Sequence, residues 1–144
     1  MSSEDAAARL GLLLKHVQAG FAQRHAARLE PLGITGRQTA VLIGLDSDPV
    51  SQGELARRLG VDRTTMVALI DEVEQRGWVE RRTDPSDRRR NVVELTASGR
   101  DTLQRARRES DEAEREFLAP LSATDAQAFR RMLRALAPIP FGGE

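Results

Sequence analysis

The side chains best suited to binding chemistry in this sequence of 144 residues are arginines grouped near its middle. They are Arg81, Arg82, Arg88, Arg89 and Arg90. These five positive charges lie beside only Asp84 and Asp87, in a chain whose 22 basic and 22 acidic residues otherwise cancel. Arginine presents a planar fork of donors that fits phosphates and guanine edges. The sequence therefore predicts a local attraction to nucleic acid and excludes a polycation that binds by bulk charge.

A second group of candidate contacts lies about 20 residues earlier, on a predicted helix. If that helix packs through its apolar positions, its opposite face presents Arg63, Thr64, Thr65 and Ala68. Arginine can bind guanine, and threonine can hydrogen-bond a base or touch a thymine methyl group. Gln52, at the start of the preceding helix, is a further candidate for DNA contact. The alternative is that the threonines are ordinary exposed helix residues.

Two short helices and a hairpin are predicted to position these side chains. Ser51 can cap a helix that stops at Gly60, and Asp62 can cap the next, which ends at Gly77. A glycine in the tight turn between two crossing helices favours a helix-turn-helix. Residues 78–82 and 91–95, rich in Val and Trp and separated by a turn at 84–87, predict a β-hairpin.

Longer helices are predicted on both sides of this unit. Apolar residues at three- and four-residue spacing indicate one long amphipathic helix from Asp5 to Leu29. Thr35 and Gln38 form a capping-box pattern that opens another. A charged helix is expected from Ala97 to about Phe117, and Ser122 can cap a last one. The predicted fold class is mainly α with a small β-hairpin wing.

Four motifs make the chain similar to a known family. They are Gln52-x-Glu54-Leu55-Ala56, Val73-Glu74-x-x-Gly77-Trp78-Val79-Glu80-Arg81, Asp84-Pro85-x-Asp87-Arg88-Arg89 and Leu95-Thr96-x-x-Gly99. In order and spacing they resemble the multiple-antibiotic-resistance regulator (MarR) family, whose members are winged helix-turn-helix transcriptional regulators. The resemblance implies a homodimer on double-stranded DNA, with a recognition helix in each major groove and a wing arginine in each minor groove. It also implies that Asp87 supports the wing by pairing with an arginine, while which arginine enters the groove stays open. Trp78 is expected to pack in the core beneath the wing.

The resemblance implies that the chain is a single protomer made of three parts. Residues 1–30 and 100–144 are expected to form dimerisation helices around a winged helix-turn-helix at 35–96. A two-fold dimer would cover the outer apolar stripes and would match a pseudo-palindromic operator. The interface candidates are Phe117, Leu121, Phe129, Leu133, Leu136, Ile139 and Phe141. The alternative is that this surface folds back on its own protomer.

A small phenolic or anionic effector is a further implication of the resemblance. His16 and Val17 are candidate contacts on one wall of a ligand pocket, with Gln38 and Leu42 on the other. His16 could hydrogen-bond a carboxylate or a phenol, although a histidine beside an apolar stripe is more often packing or surface. His25 is a weaker candidate.

Other functions fit the sequence less well. The absence of cysteine excludes thiol redox sensing, and there is no phosphate-binding glycine loop or nucleophile elbow, so an enzyme, a metal site and a cofactor are not expected. No apolar run is long enough to span a membrane, which favours a cytoplasmic protein. The rival is a winged-helix module that binds another protein and not DNA. Among regulators, a repressor is the favoured mode.

Overall fold

The computed structural model describes residues 2–137 of the chain, apart from the side chains of residues 6–8. Its helices are α1 (Ser3–Ala8), α2 (Leu10–Leu29), α3 (Gly36–Gly44), α4 (Gln52–Leu59), α5 (Arg63–Gln75), α6 (Ala97–Leu118) and α7 (Ala123–Leu136). Its strands are β1 (Val50–Ser51), β2 (Val79–Asp84) and β3 (Asp87–Leu95). A 3-10 turn at Glu30–Leu32 joins α2 to α3. The predicted fold class, mainly helical with a β-hairpin, is confirmed.

Side-chain caps fix where the helices begin. The hydroxyls of Thr35, Ser51 and Ser122 and the carboxylate of Asp62 each accept the backbone N–H three residues later, at 2.7–3.2 Å. Thr96 caps α6 in the same way. Each cap satisfies a donor that the first turn of a helix leaves without an intrahelical partner. The four caps predicted from the sequence are confirmed.

The prediction of one helix from Asp5 to Leu29 is wrong at its N-terminal end. Arg9 has extended backbone angles (φ −63°, ψ 128°), so the segment divides into α1 and α2. No glycine or proline marks this break, and the even spacing of the apolar residues gave no sign of it. The remainder of the predicted helix, from Leu10, has the expected length.

Helices α3, α4 and α5 pack around one apolar core with the base of the hairpin. Leu42, Leu55 and Ile70 are fully buried there, and Trp78 is 5% exposed. The prediction that Trp78 packs in the core is confirmed. Gly60 takes the left-handed conformation (φ 66°) that turns the chain sharply between α4 and α5.

The sheet has the order β1-β3-β2, with both pairs antiparallel. The two-residue strand β1 was not predicted. It pairs Val50 with Val93, and so attaches the base of the hairpin to the segment just before α4. This third strand ties the wing to the helix-turn-helix.

The hairpin carries an irregularity near its tip. Thr83 pairs with Asn91, but the next residue, Asp84, pairs with Asp87. Within the described hairpin, the three residues 88–90 therefore have no opposite residue on β2. A bulge of this kind redirects side chains away from the regular ladder. The residues so placed are all arginines.

The outer helices leave an apolar surface open in the single chain. Helix α2 packs along α6, where Phe21 meets Phe117 edge to face at 5.7 Å. Leu10 is still 69% exposed and Leu136 82% exposed. Of the predicted interface residues, Leu121, Leu133 and Leu136 are exposed and Phe117 and Phe129 are partly buried. Ile139 and Phe141 lie outside the described residues.

Candidate nucleic-acid interface

A shallow groove of about 470 Å³ lies between the start of α4, the start of α5 and the wing. Its lining residues are Ser51, Gln52, Gly53, Arg63, Val67, Arg89, Arg90 and Asn91. Helix α5 contributes its first turn, and β3 contributes the bulge. The groove thus joins the two groups of arginines that are separated in the sequence.

Helix α5 presents one polar face beside this groove. Its apolar residues Met66, Leu69, Ile70 and Val73 are buried, as the predicted packing requires. Arg63, Thr64 and Ala68 are exposed, while Thr65 is half-buried and its hydroxyl donates to Asp62 at 3.0 Å. Thr65 is therefore partly engaged in the cap. Val67 was not predicted, although it lies one turn after Arg63 and is exposed.

The three arginines of the bulge project from the wing. Arg88, Arg89 and Arg90 are exposed, and the side chain of Arg89 is 95% exposed. The Asp87 carboxylate accepts the backbone N–H of Arg89 at 3.0 Å and lies 3.7 Å from its Nε. Asp87 thus holds the backbone of the bulge. The family resemblance implies that Asp87 pairs with an arginine, and in the structure that arginine is Arg89.

The predicted basic cluster is smaller in the structure than in the sequence. Arg81 donates to Gln52, Glu74 and Asp71 at 2.6–2.7 Å, and its side chain is only 21% exposed. Arg82 pairs with Glu94 at 3.3 Å. The expectation that these two arginines add free positive charge to the hairpin is wrong, because acidic residues of α5 and β3 compensate them.

Two carboxylates beside the interface have depressed pKa values. Hydrogen bonds from the backbone and hydroxyl of Thr65 lower the pKa of Asp62, and those of Ser86 lower the pKa of Asp84. Both carboxylates therefore stay charged well into the acidic range. Their charge stabilises a helix start and the wing turn, respectively.

The four predicted effector contacts do not come together. Leu42 is fully buried in the core, so it cannot line an open pocket as expected. Gln38 completes the capping box with Thr35, and its amide donates to Glu72 at 2.9 Å. His16 is exposed on α2. Of the four, Val17 lines an apolar cavity.

That cavity, of about 420 Å³, lies between α2, α6 and α7. Its wall is mainly apolar, with Phe21, Phe117 and Phe129 among the lining residues. Arg130 and Glu114 stand at its edge, 3.2 Å apart. The cavity opens on the same surface as the exposed leucines of α2 and α7.

His25, a weaker candidate from the sequence, contacts more of the protein than the sequence indicates. Its Nε2 lies 2.7 Å from the Ser110 hydroxyl, and its ring stacks on Phe21 with the ring centres 5.2 Å apart. Burial lowers the pKa of His25, against a smaller opposing effect of Glu114. His25 therefore links α2 to α6 close to Gly36 at the start of α3. Its helical offset of four from Phe21 was the available signal.

Residues 2–137 hold no group of three or more His, Cys, Asp or Glu side chains arranged to bind a metal ion. Among the described helices, none is long and apolar enough to cross a bilayer.

Comparison with known proteins shows which family has this architecture. The family model described as MarR family matches residues 32–90. The HTH-type transcriptional repressor Rv2887 of Mycobacterium tuberculosis is 35% identical over 130 residues, which cover 90% of this chain and 94% of the relative. This chain belongs to the MarR family. As a MarR-family protein it is a DNA-binding transcriptional regulator, so the protein-interaction alternative is not supported.

Other MarR-family structures agree with the fold. CouR, known from Rhodococcus jostii RHA1, superposes in its complex with a 23-mer DNA duplex with a TM-score of 0.89 and 32% identity, covering 95% of this chain and 98% of that one. A DNA complex of Rv2887 superposes with a TM-score of 0.77 and 34% identity, covering 90% of this chain and 98% of that one. CouR has also been solved with p-coumaroyl-CoA.

Proposed function

We propose that this MarR-family protein is a homodimeric, sequence-specific repressor that binds a pseudo-palindromic operator. The observation that carries the proposal is the groove in which Arg63, at the start of α5, faces Arg89 and Arg90 of the wing. In this arrangement α5 enters a major groove and the wing reaches an adjacent minor groove. Rv2887 and MprA of Escherichia coli, the latter 29% identical over 86% of this chain and 72% of its own length, are both named repressors.

The side chains divide into two roles at the DNA. Arg63, Thr64 and Ala68, with Val67, face the base edges and determine sequence preference. Arg88, Arg89 and Arg90 supply charge to the backbone and the minor groove, where narrow A·T-rich segments concentrate negative potential. The positive charge of the interface comes from these four arginines, because Arg81 and Arg82 are held by carboxylates of α5 and β3. Arg89 lies beside Asp87, but its side chain is still 95% exposed and so remains available to DNA.

Dimerisation through residues 1–30 and 100–144 completes the proposal. The exposed leucines of α2 and α7 form one apolar surface around the cavity between α2, α6 and α7. A large apolar surface is uncommon on a monomer and is removed from water when two copies associate. The dimer then fixes the distance between two copies of the 35–96 unit, at about one helical turn of DNA.

A salt titration with random-pool duplex selection tests this function. Binding through several phosphates predicts a steep linear fall of log affinity with log salt concentration. We expect Arg63→Ala to relax the selected sequence, and Arg89→Ala to weaken all duplexes while reducing the salt slope by about one. Arg105→Ala removes a charge from α6 and serves as the matched control. No duplex binding at low salt would refute the proposed function.

We also propose that a small phenolic or anionic molecule releases the operator. The apolar cavity has the size and lining suited to an aromatic ring, and an anionic group on that ring would have to displace Glu114 from Arg130 at the edge. It replaces the dispersed set of His16, Gln38 and Leu42 as the site, and Val17 is shared by both. Because the cavity opens on the dimer surface, an occupant would change the spacing of the two DNA-binding units. Repeating the duplex titration with phenolic acids and with p-coumaroyl-CoA tests this, and unchanged affinity would refute it.

We propose a regulatory role for this chain and no catalytic one. The polar side chains at the groove are positioned to bind charge and base edges. Such a regulator acts in the cytoplasm, where its operator lies.

A further inference from the structure

Arg81 occupies an unusual position for an arginine near a DNA-binding surface. It lies on β2, yet every nitrogen of its guanidinium is directed back into the protein. Its Nε donates to Gln52 at 2.7 Å, and its two terminal nitrogens donate to Glu74 and Asp71 at 2.6 Å each. One side chain therefore joins β2 to both α4 and α5.

The contact with Gln52 determines which way that amide faces. Arginine has only donors, so the atom of the carboxamide that meets it has to be the oxygen. The amide nitrogen of Gln52 consequently points away from Arg81. Among the contacts of the described residues, this nitrogen has no hydrogen-bond partner in the protein. Every fully buried side-chain nitrogen of the described residues does have a partner, so the Gln52 amide nitrogen is at least partly exposed to solvent. Gln52 lines the groove between α4, α5 and the wing, so this exposed donor lies beside the candidate DNA surface.

We propose that Arg81 is a positioning residue, which holds the Gln52 carboxamide so that its NH2 group donates to a phosphate of bound DNA. Phosphate oxygens only accept hydrogen bonds, so a fixed donor matches them. The first helix of a helix-turn-helix crosses the DNA backbone, and Gln52 begins that helix, α4. This inference rests on the proposed DNA binding and adds the residue that orients one contact.

A double-mutant cycle measured by fluorescence anisotropy with the selected duplex tests the proposal. Gln52→Ala removes the donor, and Arg81→Gln frees the amide to rotate, so we expect each to weaken binding by about tenfold. When Gln52 is already alanine, Arg81→Gln should lower the affinity for the duplex by less than about threefold, because both changes act on the same contact. Equal losses in the two backgrounds would overturn the proposal.

Two further variants distinguish a positioning role of Arg81 from a simple loss of its charge and from unfolding of the variant. Arg82→Gln removes the same charge from the neighbouring residue of β2, and we expect less than about a twofold loss, since Arg82 already pairs with Glu94. If it matches Arg81→Gln in both backgrounds, charge alone explains the loss and the proposal fails. Gln52→Glu keeps the acceptor for Arg81 and replaces the donor with a negative oxygen, so it tests the phosphate contact of Gln52 even if Arg81→Gln does not fold.

We expect Gln52→Glu to bind all duplexes about tenfold more weakly than Gln52→Ala, with the same order of sequence preference. Wild-type affinity in this variant would overturn the proposal, and a changed preference would assign Gln52 to a base. Failure of the wild-type protein to bind any duplex is a different result, because it refutes the proposed function itself.

Discussion

Replacement of Gly99 by alanine should destabilise the folded protein strongly. Gly99 lies in the first turn of α6, and a Cβ there would overlap the carbonyl oxygen of Trp78 and meet the carbonyl carbon of that residue at 2.8 Å. Real Cβ contacts essentially never fall under 3.0 Å. Both opposing atoms belong to the backbone, so no side-chain rotation can relieve the overlap. The start of α6 would have to move away from Trp78, which lies between the end of α5 and the start of β2.

The magnitude follows from the contacts that such a movement breaks. Overpacking a close contact costs about 1–3 kcal/mol. Separation also strains the hydrogen bond from the Thr96 N–H to the Trp78 carbonyl, 3.0 Å long, at a cost of about 1 kcal/mol. We expect Gly99→Ala to lower the free energy of unfolding by about 2–4 kcal/mol, a large share of the 5–15 kcal/mol that typically stabilises a domain.

Urea denaturation followed by circular dichroism, at one protein concentration for all variants, measures this effect. Gly53→Ala is the matched control, because a Cβ at Gly53 meets nothing within 4 Å and its backbone is already helical. That control should raise the stability by about 0.4–1 kcal/mol. A Gly99→Ala protein within about 0.5 kcal/mol of wild type would refute the reasoning.

Three other predictions concern the dimer and the pH dependence. Leu133→Glu, which puts a charge on the exposed apolar surface, should shift the sedimentation equilibrium toward monomer, whereas Gln127→Glu on the same helix should not. Hydrogen bonds from arginines hold the pKa of Glu54 at about 2, so its contribution to stability is present above pH 4.5 and is lost as the pH falls toward 2. The melting temperature of Glu54→Gln should therefore decrease less steeply than that of wild type as the pH is lowered. Burial lowers the pKa of His25 below 6.5, so the folded state binds a proton less readily and stability declines as the pH drops below that value. An NMR titration of the His25 ring with a midpoint at or above 6.5 would contradict the last prediction.

The sequence predicted those features that local residue types decide. Capping side chains set the starts of α3, α4, α5 and α7, and the glycine at 60 set the turn between two of them. The apolar period of α5 predicted its buried face correctly. These signals depend on neighbours within one or two turns, so they can be read without the fold.

Features that depend on distant partners were missed. Strand β1 has only two residues, and it exists because Val50 meets Val93, over 40 positions later. Arg81 was counted as free charge because its partners Asp71 and Gln52 lie on other elements. Leu42 was assigned to a ligand pocket because an amphipathic pattern shows which face is apolar, but not what covers it.

The bulge at 88–90 has a consequence for how such a protein can change over generations. The paired part of the hairpin, from Val79 to Thr83 and from Asn91 to Leu95, holds its alignment without these three residues. Because loops that lie outside a ladder tolerate insertion and deletion, the tip can lengthen, shorten or exchange its arginines while the alignment below it stays the same. A lineage could therefore alter the proposed contact of the wing with the minor groove in small steps, independently of the proposed base contacts of α5.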